Sequence, residues 1–266
     1  MELKELVNKT KLYLFDMDGT LYLGSRLYPF TKELLSAIRK KGAKYLFVTN
    51  NSSKSVSDYI QKLTNFGIPT TREDFMTSSQ ATAYYLKKHH AGKTMYVAGT
   101  QSLKQELTDA GFLISDDISK TQCIVMGFDT ELTFQKLHDV SYLLLTQPDL
   151  PYIATNQDLV CPTEFGSVPD CGSVCHMIYN ATGKWPLNIG KPSALMAQLA
   201  MEKIGVLPEE TCVIGDRIYT DIKSGLNAET NTILVMSGET TYEILAQSED
   251  KPHLVLPDAG EILQYL

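Results

Sequence analysis

The chain has 266 residues, 43% hydrophobic and 21% charged, with a formal net charge of −7. That length can bury a sizeable core in one large or two modest domains, and the acidic balance argues against a generic binder of nucleic acid or anionic membrane, since both need a positive surface. No apolar run approaches the roughly 20 residues of a transmembrane helix, and the first residues lack the charged-then-apolar layout of a secretion signal, so the expected setting is the cytoplasm.

In chain order, the first clear element is the continuous apolar run Leu12–Phe15, the pattern of a strand buried on both faces of a parallel sheet. It ends abruptly in two carboxylates, Asp16 and Asp18, followed by Gly19 and Thr20. After a linker containing Pro29, Leu34, Leu35 and Ile38 mark a helical stripe with Gly42 placed to close it. A second strand, 45–48, runs into Thr49, Asn50, Asn51, Ser52 and Ser53, a polar loop whose serines suit the start of a helix. Val56, Tyr59, Ile60, Leu63 and Phe66 form the next helical stripe. A short strand at 74–77 follows, with Ser78 and Ser79 expected to cap a helix that runs through Leu86.

The middle third keeps alternating but lacks the acidic strand ends of the outer thirds. Strands are expected at 95–98, 124–128 and 152–155, with helices near 101–110 and 133–145. A loop dense in Pro, Gly and Ser spans Pro162 to Ser173, before a helix ending at Thr182 and Gly183. The last third returns to strand-helix rhythm. Pro192 is placed to sit in the first turn of a helix closed by Gly205, and strands at 212–215, 232–236 and 253–256 complete the sheet. The expected fold class is therefore α/β: a doubly wound parallel-sheet core of residues 1–78 and 180–266, with residues 79–179 inserted as a smaller α/β domain.

Five cysteines, an odd count in a long chain, fit reduced thiols better than a disulfide framework. Cys161, Cys171, Cys175 and His176 could in principle hold zinc, but neighbouring helical residues point in different directions, and small buried thiols are the expectation. The Asn-x-Ser/Thr sequons at Asn8, Asn51 and Asn180 carry no meaning without secretion.

The polar groups at the expected strand ends are Asp16, Asp18, Thr49, Asn50, Asp216 and Asp221, with Lys191 at the start of a core helix. In a parallel sheet these ends share one edge, so the groups are expected to converge. Converging carboxylates need a compensating cation, and an all-oxygen set suits Mg²⁺, which keeps waters and binds one or two carboxylates plus a substrate phosphate. A carboxylate can attack phosphorus to give an aspartyl-phosphate, and a second acid can protonate the leaving oxygen.

Asp16-Met-Asp18-Gly-Thr-Leu21, the strand ending in Thr49-Asn50, Gly190-Lys191-Pro192, and Gly215-Asp216-x4-Asp221 together resemble the four motifs of the haloacid dehalogenase-like (HAD) superfamily. Thr49-Asn-Asn51-Ser52, Ala154-Thr-Asn156-x-Asp158, Pro162-Thr-Glu164 and Gly215-Asp-Arg-x2-Thr220-Asp221 are similar to its NagD or p-nitrophenylphosphatase branch, which carries a large α/β cap between the second and third motifs. The resemblance implies a Rossmann-like HAD core and a phosphatase for small phosphate monoesters: sugar phosphates, nucleoside monophosphates, glycerol or glycolate phosphate, and p-nitrophenyl phosphate in vitro. It implies Asp16 as nucleophile, Asp18 as general acid/base, and Mg²⁺ held by Asp16, Asp216 and the backbone carbonyl of Asp18. Thr49, Asn50, Asn51 and Lys191 would bind phosphate, with Asp221 supporting the metal or Lys191. Homodimers formed through the cap are a family habit. Asn156 and Asp158 are expected to hold a turn, and 156–164 to reach toward the leaving group.

Rival readings are weaker. A phospho-receiver module is about half this length and lacks Asp18, and Ala91-Gly-Lys-Thr94 misses the first glycine of a P-loop and precedes a strand. A phosphomutase or phosphotransferase would use the same catalytic set, and is separated by whether inorganic phosphate is released.

Overall fold

The computed structural model describes residues 2–163 and 165–266. Two compact units divide the chain: Met1–Thr49, Ile60–Met76 and Lys191–Leu266 form the first, and Asn50–Tyr59 with Thr77–Gly190 form the second.

The first unit is built on a six-stranded sheet in the order 254–256, 231–235, 211–215, 12–15, 44–49, 75–77. Its described pairings are parallel. Leu12–Phe15 lies at its centre, paired residue for residue with Thr211–Ile214 on one side and Lys44–Phe47 on the other. All four of its side chains are buried, as a strand covered on both faces requires. The flanking helix Thr31–Lys40 turns Leu34, Leu35 and Ile38 inward and carries Arg39 and Lys40 in its last turn, where cations complement the helix dipole. Burying such a Leu or Ile contributes about 1.5–3 kcal/mol.

The second unit has its own sheet, ordered 187–188, 152–154, 123–126, 94–98, 113–114, again with parallel pairings. Its core joins Ile124, Met126, Val140, Leu143, Cys171, Val174, Cys175 and Ile178. Both units are thus α/β, with helices between parallel strands.

Several elements depart from the sequence expectation. Pro162 to Ser173 is not a loop: Val160–Thr163 and Gly166–Pro169 pair antiparallel as a hairpin, and Cys171–Thr182 is already helical. Proline is tolerated there because both strands of a two-stranded ribbon are edges with free N–H positions. Glu164, part of the expected cap motif, lies outside the described residues. The helix after Lys191 starts only at Leu195, leaving Pro192 in a preceding turn, where Ser193 Oγ accepts the amide of Leu195. Thr77, not Ser78 or Ser79, caps Ser78–His89 through a capping box with Gln80. Similarly, Ser55 rather than Ser52 or Ser53 caps Val56–Asn65, exchanging hydrogen bonds with Asp58. A short N-terminal helix, Leu3–Lys9, has no counterpart in the expected elements. Gly183 and Gly205 do end their helices as expected.

Candidate active site

Strand order brings the functional ends of the first unit together. Asp16 follows the Leu12–Phe15 strand, and Asp216 follows its neighbour Thr211–Gly215. One wide helical turn, Ile218–Ile222, then carries Asp221 back toward that edge. Ligand oxygens of Asp16, Asp216 and Asp221 all lie within 4.8 Å of one another.

Lys191 is placed among them. Its side chain is almost fully buried, and Nζ donates to Asp16 Oδ1 and Asp221 Oδ1, each at 2.6 Å, and to the carbonyl of Val48 at 3.3 Å. The other oxygen of Asp221 accepts the amide of Arg217 at 3.0 Å, so this carboxylate is engaged on both sides. Asp216 is held differently: Oδ2 accepts the Glu239 amide at 2.7 Å, while Oδ1 is buried with no hydrogen-bond partner among the described residues.

The electrostatics follow from this crowding. Burial pushes the Asp16 carboxyl up to about 8, against the pull of Lys191 and with further push from Asp221 and Asp216. Burial and the Asp221 charge push Asp216 up to about 6. Lys191 is raised above its ordinary value: burial disfavours the ammonium, and the facing Asp16 and Asp221 carboxylates outweigh it. Lys191 stands among three carboxylates, and the nearby Arg217 guanidinium is ion-paired with Glu239, so the cluster keeps a surplus of negative charge that a proton or a second cation would offset. The residues fit a small hard cation. Asp216 Oδ1 is a buried acceptor without a donor, Asp16 stands beside it, and the donor set is all oxygen.

The remaining expected residues are more dispersed. Asp18 is exposed; its carboxylate accepts the amide of Gly24 at 3.3 Å and lies outside the acidic cluster. Thr49 ends the Lys44–Thr49 strand, one residue beyond the carbonyl that Lys191 touches. Asn50 and Asn51 belong to the second unit. There Asn50 Nδ2 donates to both oxygens of Asp158, at 3.2 and 3.0 Å, and Asn51 Oδ1 accepts from the amide and hydroxyl of Ser53. Asn156 is buried and donates to Asp158 at 3.2 Å and Asp170 at 3.1 Å. Cys171 and Cys175 are buried, and His176 packs edge-on against Trp185. The only cluster of potential metal ligands among the described residues is the aspartate one.

Sequence reasoning passed over residues 237–240. That segment follows the Asn231–Val235 strand and supplies the amide that holds Asp216. Its one acid, Glu239, stands at no motif spacing; the segment's one signal was its position after a core strand.

A haloacid dehalogenase-like hydrolase family model matches residues 13–113, and a HAD-hydrolase-like model matches residues 188–262. The chain is 33% identical to the 5'-nucleotidase YutF of Bacillus subtilis over 96% of this chain and 98% of that protein. The structure of a 4-nitrophenylphosphatase from Thermotoga maritima superposes with a TM-score of 0.92 at 38% identity, covering 97% of this chain and 98% of that one. NagD from E. coli K-12 gives 0.86 at 30% identity, covering 95% and 98%. With its central strand ending in Asp16, its buried Lys191 and its paired acids at 216 and 221, the chain belongs to the haloacid dehalogenase-like hydrolases, among their NagD-like phosphatases.

Proposed function

We propose that this protein is a Mg²⁺-dependent phosphatase of small phosphate monoesters that works through an aspartyl-phosphate on Asp16. The observation that carries the reading is the buried meeting of Asp16, Asp216 and Asp221 around Lys191. Asp16 supplies the carboxylate oxygen that bonds to phosphorus while the ester oxygen leaves. Asp18, two residues on and exposed, donates the proton that the leaving oxygen needs. The same group then takes a proton from the water that cleaves the acyl phosphate, returning Asp16. Lys191 and Thr49 hold the non-reacting phosphoryl oxygens, and Asp221 keeps Lys191 aimed at Asp16. Asp16, Asp216 and the Asp18 carbonyl would hold Mg²⁺, which when bound offsets charge on the transferring group. Asn50 and Asn51 are proposed as further phosphate contacts from the second-motif loop.

Residues 1–78 and 180–266 then act as catalytic core and 79–179 as cap, a reading supported by the strands 94–98, 113–114, 123–126 and 152–154 of the second sheet, although its edge strand 187–188 falls past that boundary. The names of the relatives support small aryl and nucleotide esters as substrates. A cytoplasmic setting agrees with cysteines that form no disulfide among the described residues, and no described helix is long and apolar enough to cross a membrane.

The test is inorganic phosphate release from p-nitrophenyl phosphate. We expect release to need Mg²⁺, to stop on chelation and to fall about 10³-fold or more in Asp16→Asn. Undiminished release by Asp16→Asn, or indifference to chelation, would sink the reading.

A further inference from the structure

Asp216 is gripped by a segment outside the four motifs. Its Oδ2 accepts the Glu239 amide at 2.7 Å, and its backbone carbonyl accepts the Thr240 amide at 3.2 Å. Thr240 Oγ1 in turn accepts the amide of Ile218 at 3.1 Å, fixing the start of the turn that carries Asp221. Ser237 Oγ donates to the carbonyl of Gly19 at 2.7 Å, and the Ser237 carbonyl accepts the Tyr28 hydroxyl at 2.6 Å. Residues 237–240 thus tie Asp216 to the loop that follows Asp16 and Asp18.

The fit is steric as well as polar. A Cβ placed on Gly238 would stand 2.0 Å from Asp216 Oδ2 and 2.4 Å from its Cγ; one on Gly19 would stand 2.4 Å from the same oxygen. The carboxylate is seated between two bare backbones. Real Cβ atoms do not approach so closely, so any side chain at 238 forces the carboxylate to rotate or shift. In the seated position one oxygen is committed to an amide, and only Oδ1 stays without a donor.

We propose that the Ser237–Thr240 turn is a positioning clamp for Asp216, with Gly238 its decisive residue, and that it selects a small octahedral cation by keeping Asp216 monodentate. The physical reason is coordination preference. Mg²⁺ and Mn²⁺-sized ions take single oxygens in near-octahedral geometry, whereas Ca²⁺ favours more ligands and accepts bidentate carboxylates. The amide bonded to Oδ2, together with the Gly19 and Gly238 backbones packed against it, hinders that second oxygen as a ligand. The proposal rests on Asp216 being a metal ligand, so its test separates the two ideas.

Mn²⁺ binding to the full-length protein, without substrate, is followed by electron paramagnetic resonance, with Ca²⁺ as competitor. Asp216→Asn should weaken Mn²⁺ at least about tenfold; retained affinity overturns the ligand assignment. Gly238→Ala should weaken Mn²⁺ about tenfold and shrink the preference for Mn²⁺ over Ca²⁺ at least about threefold. General loosening of the fold would weaken both ions alike, so the ratio reports positioning. Ser237→Ala adds no volume and removes only the hydrogen bond to Gly19; it should cost about threefold in Mn²⁺ affinity with a smaller loss for Ca²⁺, and it carries the test if Gly238→Ala does not fold. If Asp216→Asn loses the ion while the folded variants at 237 and 238 bind Mn²⁺ within twofold of the parent, or lose both ions in proportion, the clamp is overturned.

Discussion

Lys191 read alone in the sequence is a lysine between a glycine and a proline; in the structure it is a buried cation with two carboxylates at 2.6 Å. Removing one partner of a buried charge set leaves the others uncompensated, at about 3–5 kcal/mol. Lys191→Met, which keeps most of the volume, should therefore lower the urea-unfolding free energy by that order and also abolish turnover. A loss below about 1 kcal/mol would show that Asp16 and Asp221 are not paired with it in solution. The identities of Asp16, Lys191, Asp216 and Asp221 were legible because strand ends and motif spacing mark them. Their hydrogen-bond partners were not. Nothing in the spacing says that Asp221 spends both oxygens on Lys191 and Arg217 while Asp216 keeps one without a donor.

Among the elements, helix Cys171–Thr182 shows what local reading loses. The Pro-, Gly- and Ser-rich stretch before it looks like a loop, because β propensity is low and no alternation stands out. Pairing partners, set by the chain doubling back on itself, make it a hairpin. Asp170 caps the helix, its carboxylate accepting the Cys171 amide and one hydrogen of Asn156. Burial nonetheless pushes this carboxyl up to about 6 from its ordinary value of 3.8. A raised folded-state pKa means the native protein holds the proton more tightly than the unfolded chain. Its contribution is fully present below about pH 4 and lost as pH rises through about 6. Asp170→Asn keeps the cap and removes the titration, so its stability relative to the parent should improve by on the order of 1–3 kcal/mol between pH 4 and pH 7. Urea unfolding at the two pH values checks this; an unchanged difference refutes it.

At the level of the whole molecule, each unit has a parallel sheet and a core of its own, and the second falls within the sequence of the first. The alternation of strand and helix signals announced both sheets. The short edge strands at 113–114 and 187–188 escaped, since two residues carry no periodicity. A cation that binds the native aspartate cluster and not the unfolded chain must stabilise the fold by mass action. Mg²⁺ at about 100 times its dissociation constant should add about 2.7 kcal/mol to the unfolding free energy, a gain that chelation removes and Asp216→Asn abolishes. Calorimetry with and without Mg²⁺ measures it, and equal melting of parent and variant across the titration would count against the metal centre.

By itself the sequence determined the family and the α/β class, and it singled out Asp16, Asp216, Asp221 and Lys191, which the structure gathers into one candidate site. Those depend on local signals: apolar runs that end in carboxylates, and motifs whose order along the chain survives any folding. Tertiary structure decided what those residues do to one another. Leu12–Phe15 pairs with Thr211–Ile214 and with Lys44–Phe47, strands separated by long stretches of chain, and only that pairing sets Asp16 beside Asp216 and Lys191 beneath Val48. The backbone amide at Glu239 and the missing side chain at Gly238 act on Asp216 through space. The glycine is written in the sequence, but the side chain its bare backbone accommodates and the amide that holds Asp216 are set through space, which is why the clamp became visible only once the strands were assembled.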